Sequence, residues 1–181
     1  MGQIMAKTPT RRPSKAKSSK SKSAPLVGVV MGSQSDWETM RHTADTLKKL
    51  GITHEVAVHS AHRTPERLAD WVNKLDEGGT KVFIAGAGMA AALPGVVAAM
   101  TARPVFGVPM ETRVMGGMDS LLSMCQMPGG IPVGVLAIGR AGAVNAALLS
   151  AAVLAISDEK IAKAVDKFRA NQTKAVPVKP A

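Results

Sequence analysis

Two adjacent side chains, His62 and Arg63, stand between an apolar run and a helix that opens on Pro65. Their types suit chemistry on an anion. Histidine gives and takes protons near neutral pH, and the guanidinium of Arg63 is a planar fork matched to phosphate or carboxylate. A second cluster, Gly32-Ser33-Gln34-Ser35-Asp36, follows another apolar run. There Gly32 lets a ligand approach the backbone. The hydroxyls of Ser33 and Ser35 offer hydrogen bonds, and the free N–H groups of a following helix favour a phosphate. Asp36 would repel a phosphate placed too near, so it better suits ribose hydroxyls. A third segment, Gly86-Ala87-Gly88, offers backbone N–H groups to an oxyanion or a flat heterocycle. Each has a plainer alternative: a helix cap by Ser35 with Asp36 exposed, a capping or packing His62, and a tight strand-to-helix turn at Gly86–Gly88. No GxGxxG follows the first run and no Walker A lysine occurs, so neither a dinucleotide nor ATP is indicated.

These clusters need elements to position them. The run 26–31 reads as a buried strand. Ser35 with Glu38 reads as a capping box for a helix whose buried face is Trp37, Met40, Ala44, Leu47 and Leu50, and Gly51 is its stop. A strand is expected near Thr53–Val58 and a loop over His59–Thr64. Thr64 should cap the next helix, with Pro65 at its first position and Leu68, Trp71, Val72 and Leu75 buried. Further strands are expected at Lys81–Ala85, Val105–Val108 and Pro132–Ala137. Helices are expected at Leu93–Met100, through Leu121, Leu122 and Met124, at Val144–Ile156 and at Asp158–Asn171. Short, unalternating apolar strands that alternate with helices imply a parallel sheet covered on both faces. The expected architecture is a flavodoxin-like, three-layer α/β/α doubly wound sheet of about five strands. In such sheets ligands bind beyond the carboxyl ends of the strands. The polar segments above fall there, and so does Ile138-Gly139-Arg140-Ala141-Gly142.

The 181 residues are 46% hydrophobic and 20% charged, ordinary for one globular domain. Aromatics make up 3%, with no Tyr, so the core must be aliphatic and Met-rich. The formal charge of +10 is concentrated at the start. Residues 1–24 hold Lys7, Arg11, Arg12, Lys15, Lys17, Lys20 and Lys22 and no acid; without those seven, 16 of the 23 basic residues face 13 acidic ones. A disordered basic tail over 1–24 is expected, then a single catalytic domain over 25–171 and a short tail over 172–181. The first tail lacks the aromatics of a nucleic-acid arm and the apolar face of a membrane arm. Neither nucleic acid nor membrane is therefore an expected partner. The lone Cys125 excludes an internal disulfide and a multi-Cys metal site and reads as a small buried hydrophobe. His59 reads as structural, His42 and His54 carry no role, and four dispersed histidines make no metal site. With no secretory h-region and no apolar stretch of spanning length, a cytoplasmic protein is expected.

Taken in order, MGSQSDW (31–37), SAHRTPE (60–66), AGAG (85–88), LPG (93–95), GVPM (107–110), DSLLS (119–123), QMPGGIPVG (126–134) and AIGRAGAVNAALL (137–149) resemble one family. It is the PurE family, class I, the N5-carboxyaminoimidazole ribonucleotide mutases. The resemblance covers about residues 25–170 and implies a cofactor-free carboxyl shift within an imidazole ribotide, through CO2, in purine biosynthesis. It implies that Ser33, Asp36 and Arg63 bind the ribose phosphate and that His62 is the acid/base. Ser60, Gly86, Ala87 and Gly88 would line the heterocycle and carboxyl pocket, and Gln126–Gly130 would close the site near a neighbouring subunit of an octamer. Two residues depart from the family pattern: Met89 stands where relatives often carry glycine, and Ala92 where they often carry histidine. A direct carboxylase using free CO2 is the nearest alternative. A non-catalytic flavin or nucleotide-binding module is a second, disfavoured because no aromatics are available to stack a flavin. A nucleic-acid binder working through the basic tail is a third.

Overall fold

The computed structural model describes residues 24–179; the expected basic tail lies outside the described residues, save for its last position. Five parallel strands, β1 (Val27–Met31), β2 (His54–Val58), β3 (Val82–Ala87), β4 (Val105–Pro109) and β5 (Gly134–Val135), line up in the order β2-β1-β3-β4-β5. Helices α1 (Trp37–Lys49), α2 (Pro65–Gly78), α3 (Leu93–Met100), α4 (Met118–Cys125) and α5 (Gly139–Ala155) alternate with them, and α6 (Glu159–Ala175) follows α5 directly. This is the flavodoxin-like doubly wound order, with its switch point between β1 and β3.

Strand alternation sorts the core into two layers. Val27, Val29, Met31, Val82, Ile84, Phe106 and Val108 face Met40 and Leu47 of α1 and Ala143, Ala147 and Leu154 of α5. Val30, Phe83, Ala85, Ala87 and Val105 face Leu68, Trp71 and Leu75 of α2, Val97 of α3 and Met124 of α4. Covering both faces is what removes the polar alternation from these strands. Gly28 serves this packing: a Cβ there would come within 2.8 Å of the Phe83 ring. Small residues on α5 let it lie close to α1. There the Thr43 hydroxyl donates to the Ala143 carbonyl across the interface at 2.9 Å.

Several boundaries differ from the sequence reading. The capping box is Ser33 with Asp36, not Ser35 with Glu38: Ser33 has extended backbone, its Oγ accepts from Ser35 N, and Asp36 accepts from Ser33 N. A 3-10 turn, Gln34–Asp36, therefore precedes α1. Trp37, expected in the core, is the first residue of α1 and remains 37% exposed. Thr64 does precede α2, but its side chain bonds to Ser60 rather than to the helix. Strand β3 runs on through Gly86 and Ala87, because these residues pair with Met31 of β1 and with Val108 and Pro109 of β4. At the sheet edge β5 shrinks to two residues, paired only with β4. Helix α5 starts at Gly139 rather than Val144, so Gly139–Gly142 are its first turn and not a loop. Gly142 sits directly on the Ala137 carbonyl, where no side chain fits. Helix α6 continues past Asn171 to Ala175, started by Asp158 Oδ1, which accepts from Lys160 N and Ile161 N. Cys125, expected buried, is exposed at the end of α4. Among the described residues, no helix is long and apolar enough to cross a membrane.

Candidate active site

A cavity of about 860 Å³ opens at the carboxyl ends of β1–β4. Its first wall is the turn after β1, from Gly32, Ser33, Ser35 and Asp36; its second is the loop after β2, Ser60–Arg63. The third comes from the end of β3 and the turn to α3, with Ala87, Gly88, Met89, Ala91 and Ala92. All three are the segments expected from sequence.

The first two walls are built by short-range hydrogen bonds. Ser33 Oγ accepts from Ser35 N at 3.3 Å and from Ser35 Oγ at 2.9 Å. Its own proton is thereby left to donate outward. Asp36 Oδ2 accepts from Ser33 N at 3.0 Å. Burial pushes the Asp36 carboxyl above its ordinary value, against the backbone N–H groups of Ser33 and Gly32, the Ser35 hydroxyl and the Arg63 charge, which favour ionisation. Ser60 Oγ accepts from Arg63 N at 3.2 Å and from Arg63 Nε at 3.4 Å. One Arg63 terminal nitrogen donates to the Gly32 carbonyl at 3.2 Å, tying the second wall to the first. His62 is exposed beside it on the cavity wall. His59 packs on Trp71 with ring centroids 5.8 Å apart. Burial lowers its pKa, Arg67 adds to that, and Glu55 opposes it. That contact agrees with a structural role.

Not every expected residue reaches the cavity. Gly86 lies beneath it in β3, where a Cβ would run into Met40 and Met110. Its role is to let the sheet pass those methionines rather than to line the wall. Ile138–Gly142 and Gln126–Gly130 also do not line the cavity. Met127 packs instead toward Gly95 of α3.

The segment after β4 was missed: Met110, Glu111, Thr112, Arg113, Val114 and Asp119 complete the cavity. The signal was present, since every strand of a parallel sheet delivers its next residues to the same end. Thr112 Oγ1 donates to Asp119 Oδ1 at 2.5 Å. That bond, followed by those from Ser120, holds the Asp119 carboxyl below its ordinary range. Among the described residues, no group of three or more His, Cys, Asp or Glu side chains is placed to hold a metal ion.

The chain's likenesses agree with this geometry. Residues 26–175 match the family described as AIR carboxylase. A Brucella melitensis protein named N5-carboxyaminoimidazole ribonucleotide mutase is 60% identical over 154 residues, 85% of this chain and 95% of its own length. A Bacillus subtilis protein of the same name is 53% identical, over 84% of this chain and 94% of its own. The crystal structure of Treponema denticola PurE superposes with a TM-score of 0.76 at 29% identity, covering 83% of this chain and 92% of that one. With the switch-point cavity, the serine-aspartate turn and the His-Arg loop all in place, the chain belongs to the AIR carboxylase family.

Proposed function

We propose that this protein is an N5-carboxyaminoimidazole ribonucleotide mutase of purine biosynthesis, an isomerase that moves a carboxyl group from the exocyclic nitrogen of the ribotide to ring carbon four. The observation that carries this reading is the meeting of Ser33, Ser35, Asp36, Ser60, His62 and Arg63 in one cavity, in a chain 60% identical to a protein bearing that name.

In this reading the outward proton of Ser33 and the Arg63 guanidinium take the phosphate, Ser35 sets the Ser33 hydroxyl by donating to its Oγ, and Asp36 accepts from the ribose. Arg63 is already held by Ser60 and Gly32, so little freedom is lost when it binds. Ala87 and Gly88, with Ser60, meet the heterocycle and its carboxyl. The substrate is a carbamate. His62 gives a proton to its nitrogen, the N–C bond breaks, and CO2 leaves the electron pair on nitrogen. Carbon four then attacks the CO2, and the imidazole of His62 takes the proton that carbon four must lose. The histidine ends as it began, so the cycle closes without ATP, metal or organic cofactor. Confinement keeps CO2 at high effective concentration beside the ring.

The description AIR carboxylase keeps the direct carboxylase as the second reading. A substrate labelled at its carboxyl carbon, turned over in unlabelled bicarbonate without ATP or metal, separates the two. Label retained on carbon four supports the mutase. Unlabelled product, with fast use of the uncarboxylated ribotide, would establish the carboxylase.

The same reading includes a catalytic domain over residues 25–171, a cytoplasmic location and a homo-octamer. The exposed Met89 and Val114 on the cavity wall, with the exposed Met115 next to Val114 in the chain, support assembly, because exposed apolar side chains gathered together favour a partner surface. Sedimentation at working concentration tests it; a monomer would overturn it.

A further inference from the structure

The turn that forms the third cavity wall holds two non-glycine residues in the left-handed region, Met89 at φ 60° and Ala91 at φ 37°. Such conformations are unfavourable for residues with a Cβ and persist only where the surroundings enforce them. Here Ala91 N closes the turn by donating to the Gly88 carbonyl at 3.1 Å, and side chains from one face of α4 hold it from outside. Ser120 Oγ accepts from Met89 N at 3.0 Å, and the Ser123 hydroxyl donates to the Ala90 carbonyl. Positions three apart share a helix face, so the two hydroxyls grip consecutive residues of the turn. Ser120 is fully buried and is itself set by Asp119, whose Oδ1 accepts from Ser120 N at 2.8 Å and from Thr112 Oγ1.

We propose that Ser120 and Ser123 are positioning residues for the reaction: they clip the Met89–Ala91 backbone into its left-handed turn and so fix the cavity wall against which the heterocycle is held. The clip rests on the mutase reading for its effect on turnover, but not for its effect on the backbone. Its energetic partner is the side chain at position 89. Glycine there adopts a positive φ without strain, so Met89→Gly relieves one of the two strained positions and makes the clip less necessary.

The test is a double-mutant cycle: Ser120→Ala and Met89→Gly, singly and together, read by kcat, KM and thermal midpoint. In the Met89 background, Ser120→Ala should lower kcat about tenfold or more, because a displaced wall misplaces the reacting atoms, while KM, set by the phosphate contacts, changes less. In the Met89→Gly background the same change should lower kcat by less than about threefold and the midpoint by correspondingly less. Equal losses in both backgrounds, or no loss in the first, would overturn the proposal. Ser123→Ala, at an exposed position, carries the same cycle should the buried change prevent folding. If the parent protein shows no mutase turnover, the functional reading fails while the thermal cycle still decides the clip.

Discussion

The two sides of the cavity are held by different means. On the β1–β2 side, among the described residues, every fixing side-chain hydrogen bond but one spans at most four residues: Asp36 to Ser33, Ser35 to Ser33, Arg63 to Ser60 and Thr64 to Ser60. The exception is the Arg63 bond to Gly32. On the β3–β4 side the wall is held from α4, 31 and 33 residues away in sequence, and its backbone is strained. A preformed polar cradle can be written locally, as caps and turns. The turn over residues 87–92 carries no polar side chain with which to brace itself, and is braced by another element.

In the proposed function, proton transfer and anion binding belong to the first side and orientation to the second. The largest test is His62→Asn, which should lower turnover at least about 100-fold while ribotide binding survives. A near-normal rate would remove the chemistry from this side. Next is Arg63→Ala. Losing a charged hydrogen-bond partner of the phosphate should raise KM roughly ten- to a hundredfold and alter kcat less. An unchanged KM, or a fall confined to kcat, would break the division of labour. A smaller effect is expected for Ser33→Ala, which removes a cap. Stability should fall by about 1 kcal/mol, seen as a lower thermal midpoint, with the β3–β4 wall undisturbed. No change in the midpoint would mean the turn is held by something other than its cap.

The subtlest contrast is in titration. Asp36, on the first side, is raised above 3.8 by burial, whereas Asp119, on the second, is lowered from 3.8 by the Thr112 hydroxyl and Ser120. The signs of their linkage are opposite. Asp119 contributes stability that is present above 3.8 and lost as pH falls through its lower folded value. Asp36 favours the folded state below 3.8, and that contribution is lost as pH rises through its raised value. Carboxyl-carbon NMR should show the two midpoints on either side of 3.8. Thr112→Val should move Asp119 upward and leave Asp36 in place. Coincident midpoints would erase the contrast.

The difference between the two sides also explains what could be read in advance. The strand-helix alternation, the parallel-sheet class, the helix over Leu93–Met100 and the cluster around His62 and Arg63 were legible, because periodicity and local capping chemistry are written in consecutive residues. Even there the reading slipped by one motif, choosing Ser35 with Glu38 where Ser33 with Asp36 forms the box. Both spacings are three, and only backbone conformation chooses between them. The early start of α5 and the exposure of Trp37 and Cys125 were not legible, since each depends on what packs against the segment.

From the sequence alone came the residue types that make an anion site, their delivery to one end of a parallel sheet, and the family resemblance, all of which depend on order along the chain. The tertiary structure alone decided that Gly86 supports the sheet rather than lining the cavity. It brought in the segment after β4, and it braced the left-handed turn at Met89 with two serines from α4. Those outcomes follow from contacts between residues far apart in sequence, whose partners no local pattern specifies.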